Sequence, residues 1–448
     1  MDLLQPIIKP YAWGSRHALA RLQGRAAPSA GPEAELWMGA HPSGPSGLVR
    51  SGHATTLRDV VAADPERELG ADCARRFGGR LPFLLKVLAA DQPLSIQVHP
   101  DRERARTAFA AQLRAGARGP YADDWAKPEL LCALTPFEVL AGLRPPREAA
   151  DVLAGLGLTA LRPLVDLLRD SDGDGDGAGD GDGDGRGDGE ASGEALRTVL
   201  EWPPGRREAL VGSVVDACRR RSSTDGPFAG AYDAVVRMAR HHPGDPGLVA
   251  ALLMRHQVLE PGTALFMPAG GLHAYVRGLG VEVLANSDNV LRAGLTAKEV
   301  DVPELLRVTD PAVRVPVVHP RTVAGPGLTE AYDCPAEEFA LYRVELAGTS
   351  GPLVPGGGPR VALCVAGSVR LRAADGTAVR LGRGASCFLS AADEHVRVEG
   401  SGTLFVAAPG VTADADSAAA RAALSRPAPA SPTPPTKDAK DDNVVHMG

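Results

Sequence analysis

Four side chains of this sequence carry the donor types that hold a first-row divalent ion. Gln97 and His99 stand in Pro93-Leu94-Ser95-Ile96-Gln97-Val98-His99-Pro100. With the two-residue period of a strand, Leu94, Ile96 and Val98 fall on one face, and Ser95, Gln97 and His99 on the other. Gln97 and His99 therefore project the same way, one strand repeat apart, and could share one ion. Glu129 opens an apolar run directly after Lys127-Pro128, where the proline forces extended backbone. His273 follows the turn Pro268-Ala269-Gly270-Gly271 and enters another strand. Two imidazole nitrogens and two oxygens suit zinc or a neighbouring first-row ion better than calcium. The set lacks cysteine, and glutamine is an unusual zinc ligand, so a purely structural zinc is disfavoured. Singly, each residue has a plainer reading: a solvated strand face, a surface charge at a strand entry, a satisfied core histidine.

Further on, Val281 to Lys298 reads Val-Glu-Val-Leu-Ala-Asn-Ser-Asp-Asn-Val-Leu-Arg-Ala-Gly-Leu-Thr-Ala-Lys. Polar and charged residues interrupt an otherwise apolar strand-and-turn region. Arg292 and Lys298 offer cationic donors that suit a phosphate. The plainer reading of each is a solvated charge.

Elements of regular texture must position these groups. Residues 1 to about 145 alternate short apolar runs with Gly/Pro turns: Pro6 to Lys9, Glu35 to Gly39, Gly47 to Val49, Leu81 to Val87, Leu94 to His99 and Leu130 to Thr135. That spacing predicts an antiparallel barrel or sandwich. Asp101 to Arg118 predicts a helix capped by Asp101. From about Arg147 the period becomes helical, as in Val152, Leu153, Leu156 and Leu161, then Leu210, Val211, Val214 and Cys218, then Tyr232, Val235 and Met238. A helical insertion in a β protein follows. Strand texture returns at His256 to Leu259, Ala264 to Met267 and Val281 to Leu284. A second β block runs from about Pro320, with Gly367 and Asp375-Gly376 as hairpin punctuation.

Asp170 to Glu190 is nearly pure Gly-Asp and cannot build a core, so it reads as a disordered surface loop. Its Asp172-x-Asp174-x-Asp176-Gly177 run mimics a calcium loop, but the twelfth position is Gly183 rather than glutamate. Beyond Thr412 the chain is Ala/Ser/Pro-rich, then Lys/Asp-rich, and is expected to be disordered.

A length of 448 residues allows two or three domains, and a net charge of −7 gives no sign of nucleic acid or an anionic membrane surface as partner. No apolar run reaches membrane-spanning length, and Met1 to Gly14 lacks a secretory pattern. The six cysteines form no CxxC pair, as expected of free or buried thiols. A cytoplasmic protein is the expectation.

The sequence resembles the type I mannose-6-phosphate isomerases of the cupin superfamily. The similar stretches are Pro10 to Ser15, Glu35 to Pro42, Pro93 to Asp101, Lys127 to Phe137, Pro243 to Tyr275 and Val281 to Lys298, in the family's order. The pattern around Asn289, Arg292 and Gly294 is the most specific of them. The resemblance implies a mainly β fold: two cupin-like (jelly-roll) β-barrels with an inserted α-helical domain. The catalytic barrel would comprise residues 1–145 and 240–325, and the helical insert 146–239, with the Gly-Asp loop 170–190. The second barrel would span 326–412, followed by a disordered tail at 413–448. The resemblance further implies one zinc ion per chain on Gln97, His99, Glu129 and His273. It places the catalytic arginine at Arg292 and the sugar-phosphate pocket at Ser95, Lys86, Lys127, Glu282 and Lys298. The implied activity is interconversion of mannose 6-phosphate and fructose 6-phosphate through an enediol, feeding mannose and GDP-mannose metabolism, by a monomer. Glu282 is the candidate base, with Lys127 behind it. Ala126 departs from the polar residue many relatives carry before Lys-Pro-Glu.

Two other functions compete. A silent bicupin that senses a sugar phosphate would need no zinc, against the full donor set and Arg292. A cupin dioxygenase would use a His-rich iron set, against Gln97 and the Arg292/Lys298 pair.

Overall fold

The computed structural model describes residues 1–116, 119–170, 186–323, 328–348 and 351–410. Most of the predicted Gly-Asp loop, 171–185, and the tail from 411 lie outside the described residues. Among the described residues, no helix is long and apolar enough to cross a membrane. Two large antiparallel sheets dominate, of eleven and eight strands.

The eleven-stranded sheet carries the candidate site. Phe83–Ala90 is apolar on both faces and buried throughout, with Lys86 its one charged residue. It lies between Glu35–Gly39 and the second half of His273–Ala285. That same half also pairs with Glu129–Ala133. The start of His273–Ala285 pairs with Ile96–Val98 and Phe137–Leu143. Every pairing is antiparallel, as the short runs and tight turns predict.

One irregularity in His273–Ala285 decides what faces the interior. His273 and Tyr275 point inward, while Ala274 and Val276 join the core of the helical insert. Strict alternation would then send Glu282 outward, since it is nine residues beyond His273. A register shift between Tyr275 and Arg277 resets the parity, so Glu282 also faces inward and Val281 and Val283 face the core shared with the second sheet. Gly278 makes the bulge feasible: its φ is +148°, and a Cβ there would sit 2.5 Å from the Phe137 ring.

Helices Pro146–Ala154, Arg162–Arg169, Arg186–Leu200, Pro204–Ser222 and Ala229–Met238 separate Phe137–Leu143 from its partner strand Met254–Leu259. Prolines open three of them, where no backbone N–H is required. Their apolar stripes, including Leu164, Leu196, Val214 and Val235, bury Ile96 and Val98 from the outer face of the site strand. Each such side chain contributes roughly 1.5–3 kcal/mol. Leu94 does not share that face; it packs inside the sheet with Leu88 and Tyr275. A polar clamp adds to the packing: Arg237 donates to both oxygens of Glu138, at 2.8 and 2.5 Å, and His256 meets Glu138 at 2.7 Å.

Besides Leu94, the structure departs from the sequence reading in four places. Short helices Leu57–Ala63, Pro65–Leu69 and Ala71–Arg76 occupy a stretch of the first β block for which the sequence reading named no element; Thr56 and Asp64 cap the first two. The end of the Gly-Asp run, from Arg186, belongs to Arg186–Leu200, extended backward from the buried Ala191, Ala195, Leu196 and Val199. Gly367 is not a hairpin: Arg360–Arg372 is one strand with a bulge at Cys364/Ala366 and Gly367 at φ +69°. Asp2–Leu3, grouped above with the first β block, pairs in the second sheet, where the Met1 ammonium meets Asp393 at 2.9 Å; Arg321–Val323 also pairs there, as the β block from about Pro320 predicts, although the implied barrel boundary at 325 put it in the first barrel. Asp375-Gly376 does turn a hairpin, from Arg372 to Ala378. The predicted helix runs Arg102–Arg114, its Asp101 cap accepting the Arg104 N–H at 2.6 Å.

Candidate metal centre

Three strands deliver the donor set to one buried point. His99 follows Ile96–Val98, Glu129 opens Glu129–Ala133, and His273 opens His273–Ala285. Their donor atoms all lie within 4.8 Å of one another, and all three residues are buried. Glu129 lies between the histidines: Oε1 is 3.4 Å from His99 Nε2, and Oε2 is 3.4 Å from His273 Nε2. Gln97 is directly opposite His273 in the sheet and lines the same cavity. Its amide donates to Ser95 Oγ at 3.0 Å.

The outer nitrogens of both rings meet backbone carbonyls. His99 Nδ1 is 2.7 Å from the Asn289 carbonyl oxygen and His273 Nδ1 is 3.1 Å from that of Gly271. Those bonds place the hydrogens on Nδ1 and turn the bare Nε2 lone pairs toward the carboxylate. Burial pushes the His99 pKa down to about 4 against the pull of Glu129, so the imidazole is neutral near pH 7. His99 Nε2 is then a buried acceptor with no hydrogen-bond partner. A lone pair facing a carboxylate is unfavourable unless a cation lies between them. Donors in a tetrahedral shell with bonds of about 2.1 Å lie about 3.4 Å apart, the spacing seen on both sides of Glu129. The residues fit a zinc ion. Burial opposes ionisation of Glu129, but the Lys127 ammonium, its Nζ at 3.0 Å, outweighs it and holds the carboxyl well below its usual range.

Beside this set lies a second group of charges. Glu282 accepts from Tyr275 Oη at 2.6 Å and faces Lys86 Nζ at 3.1 Å. Glu282 and Lys86 oppose each other across adjacent strands. Glu35 lies 4.0 Å from Lys86 and accepts the Trp37 indole N–H at 2.5 Å. Burial raises the Glu282 pKa, Lys86 opposing and Glu129 adding to the rise. Burial also disfavours the Lys86 ammonium, but the Glu282, Glu35 and Glu129 carboxylates outweigh it and keep the amine protonated. Ser95, Gln97, Lys86, Lys127, Glu129, His273, Tyr275 and Glu282 line one cavity of about 80 Å³. A larger cleft of about 580 Å³, lined by Ser15, Thr135 and Arg277, holds no comparable donor set.

Arg292 and Lys298 stand apart from that lining. Arg292 pairs directly with Gln97 in the sheet, half-buried, and burial lowers its pKa. Lys298 is exposed on the turn beyond. The sequence reading missed Glu35 and Tyr275. Tyr275 could have been found from the same-face alternation with His273; nothing local marks Glu35.

The family model described as phosphomannose isomerase type I, catalytic domain, matches residues 1–146. The model described as mannose-6-phosphate isomerase, cupin domain, matches residues 330–409. The chain is 33% identical to the mannose-6-phosphate isomerase of Escherichia coli K12 over 417 residues, covering 90% of this chain and 98% of that one. Identity to the Bos taurus mannose-6-phosphate isomerase is 31% over 365 residues, 77% of this chain and 82% of that one. Among solved structures, a mutant phosphomannose isomerase from Salmonella typhimurium superposes with a TM-score of 0.80 at 31% identity, covering 92% of this chain and all of that one. A zinc-bound mannose 6-phosphate isomerase gives 0.77 at 30% identity, covering 92% and 99%. The chain belongs to the type I mannose-6-phosphate isomerase family.

Proposed function

We propose that the chain is a zinc-dependent aldose–ketose isomerase that interconverts D-mannose 6-phosphate and D-fructose 6-phosphate through an enediol. The observation that carries this reading is the buried His99/Glu129/His273 donor set, whose Glu129 and His273 line the same cavity as Glu282, Lys86 and Lys127. In this reading the two sheets form cupin-like jelly-roll barrels, the enzyme is a monomer, and Gln97 completes the ligands of one ion per chain. Zinc bound there supplies Lewis-acid polarisation of the sugar oxygens.

The chain's own residues divide the remaining work. Glu282 takes the proton from the carbon beside the carbonyl and returns it to the former carbonyl carbon, while the hydroxyl proton passes to the former carbonyl oxygen; the raised pKa of Glu282 suits a base working near neutrality. Tyr275 and Lys86 fix the carboxylate's direction. Lys127 is the alternative base, but its ion pair with Glu129 holds its ammonium at that carboxylate. Arg292, beside Gln97, stabilises the negative charge that develops on the enediolate oxygens. Ser95 and Lys298 hold the phosphate, whose binding energy orients the open-chain sugar. The test is an isomerase assay on mannose 6-phosphate with and without chelator. Turnover that chelation abolishes and zinc restores is expected. Binding of the sugar phosphate without turnover would make the protein a sensor instead.

A further inference from the structure

We infer that Asn289 is a positioning residue for His99, acting through a buried latch that ties the segment after Glu282 to the segment before Lys127. Asn289 is fully buried, and its amide uses both ends. Oδ1 accepts the backbone N–H groups of Ala122 at 2.8 Å and Asp123 at 3.3 Å. Nδ2 donates to the carbonyls of Asp123 at 2.9 Å and Trp125 at 2.8 Å, and to Asp123 Oδ1 at 3.2 Å. Asp123 returns the contact. Its carboxylate accepts from Ser287 Oγ at 2.8 Å and from the Asp288 N–H at 2.9 Å. The Asn289 N–H in turn donates to Ser287 Oγ at 3.1 Å.

The latch matters because of what its backbone holds. The Asn289 carbonyl is the acceptor for His99 Nδ1–H, the bond that selects the tautomer and aims Nε2 at the ion's position. The other end of the latch, Asp123 to Trp125, leads within two residues to Lys127 and within four to Glu129. One amide therefore sets the distance between two ligands that come from strands far apart in sequence. Only asparagine serves here. Aspartate would turn a carboxylate oxygen toward the Asp123 and Trp125 carbonyls, and alanine would leave five contacts unmade.

The inference rests on His99 being a metal ligand, and the experiment separates the two claims. Zinc dissociation constants are measured by chelator competition on the full chain, together with apo-protein melting and the visible spectrum of the Co²⁺-substituted protein. Asn289→Ala is expected to weaken zinc on the order of 10- to 100-fold and to shift the Co²⁺ bands. Asp123→Asn, which keeps one acceptor oxygen and loses the other, should move both readouts less in the same direction, and serves if Asn289→Ala does not fold. Tyr232→Phe removes another buried hydrogen bond, to the Val152 carbonyl at 2.8 Å in the helical insert. It should lower melting without moving zinc affinity or the spectrum. Parent-like zinc affinity and Co²⁺ bands in both latch variants would overturn the inference, provided His99→Ala loses metal. If His99→Ala also keeps its zinc, the ligand assignment itself fails.

Discussion

Glu282 touches Tyr275 with one carboxylate oxygen, at 2.6 Å, and Lys86 with the other, at 3.1 Å. Both partners are hydrogen-bond donors, so the carboxylate is held in one orientation although it is buried. A fixed, desolvated carboxylate with a raised pKa is what a carbon-proton transfer requires. Glu282→Gln keeps the shape and the Tyr275 contact but removes the basic oxygen. Turnover should fall by roughly two to four orders of magnitude. In the parent enzyme, kcat/KM should fall as acid protonates Glu282, with a midpoint above the ordinary carboxylate range. Near-parent turnover in Glu282→Gln would transfer the base role to Lys127.

His99→Ala removes a donor whose Nε2 has no hydrogen-bond partner among the described residues. Bound zinc and isomerase activity should fall together, and added zinc should restore activity in part. Full metal occupancy by elemental analysis would reject His99 as a ligand.

Glu138 gives a pH effect outside the site. Burial opposes its ionisation, but hydrogen bonds from His256 and Arg237 outweigh it and hold its pKa at about 2. An unfolded glutamate titrates near 4.3. A carboxyl with a depressed folded pKa adds stability that is fully present above the unfolded value and is lost as pH falls toward the folded one. The melting-temperature gap between parent and Glu138→Gln should be constant above about pH 5 and shrink steadily below about pH 4. A gap that does not change between pH 6 and pH 3 would show that the clamp to Arg237 contributes no ionic stability.

The residues that meet at the candidate site were legible because each marks its own strand. His99 and Gln97 share a face by strict alternation, Glu129 follows a proline, and His273 follows a glycine turn. Glu282 was not legible from alternation, since the Tyr275/Arg277 bulge moves it to the cavity face, and bulges leave little trace beyond a glycine. The helical insert was legible from its 3.6 period. The helices of 57–76 were not, because they are short and held by single caps at Thr56 and Asp64. The placement of Asp2–Leu3 in the second sheet depends on contacts near residue 388, which no local pattern encodes.

The Gly-Asp run between residues 171 and 185 has no side chain able to build a core. Deleting it should leave turnover within a few-fold of the parent, and removing the tail beyond residue 412 should do the same. A hundredfold loss on deleting the run would mean that it reaches the cavity.

Arg292 separates an enzyme from a binding protein. It lies opposite Gln97 in the sheet, followed by Ala293 and Gly294, and Gly294 runs so close to Gly247 that a Cβ there would sit 2.6 Å from the Gly247 Cα. That close approach fixes the strand carrying Arg292. The guanidinium is half-buried, and burial lowers its pKa. In the proposed mechanism, a cation held this way gains most when negative charge develops next to it, and so favours the enediolate over the bound sugar. Arg292→Ala should then cost about 3 kcal/mol of transition-state stabilisation, on the order of a hundredfold in kcat. KM for mannose 6-phosphate should move much less, because the phosphate contacts proposed for Ser95 and Lys298 remain. Steady-state kinetics on the purified variant decide the matter. A steep rise in KM with kcat preserved would make Arg292 a phosphate anchor rather than the group that stabilises the intermediate.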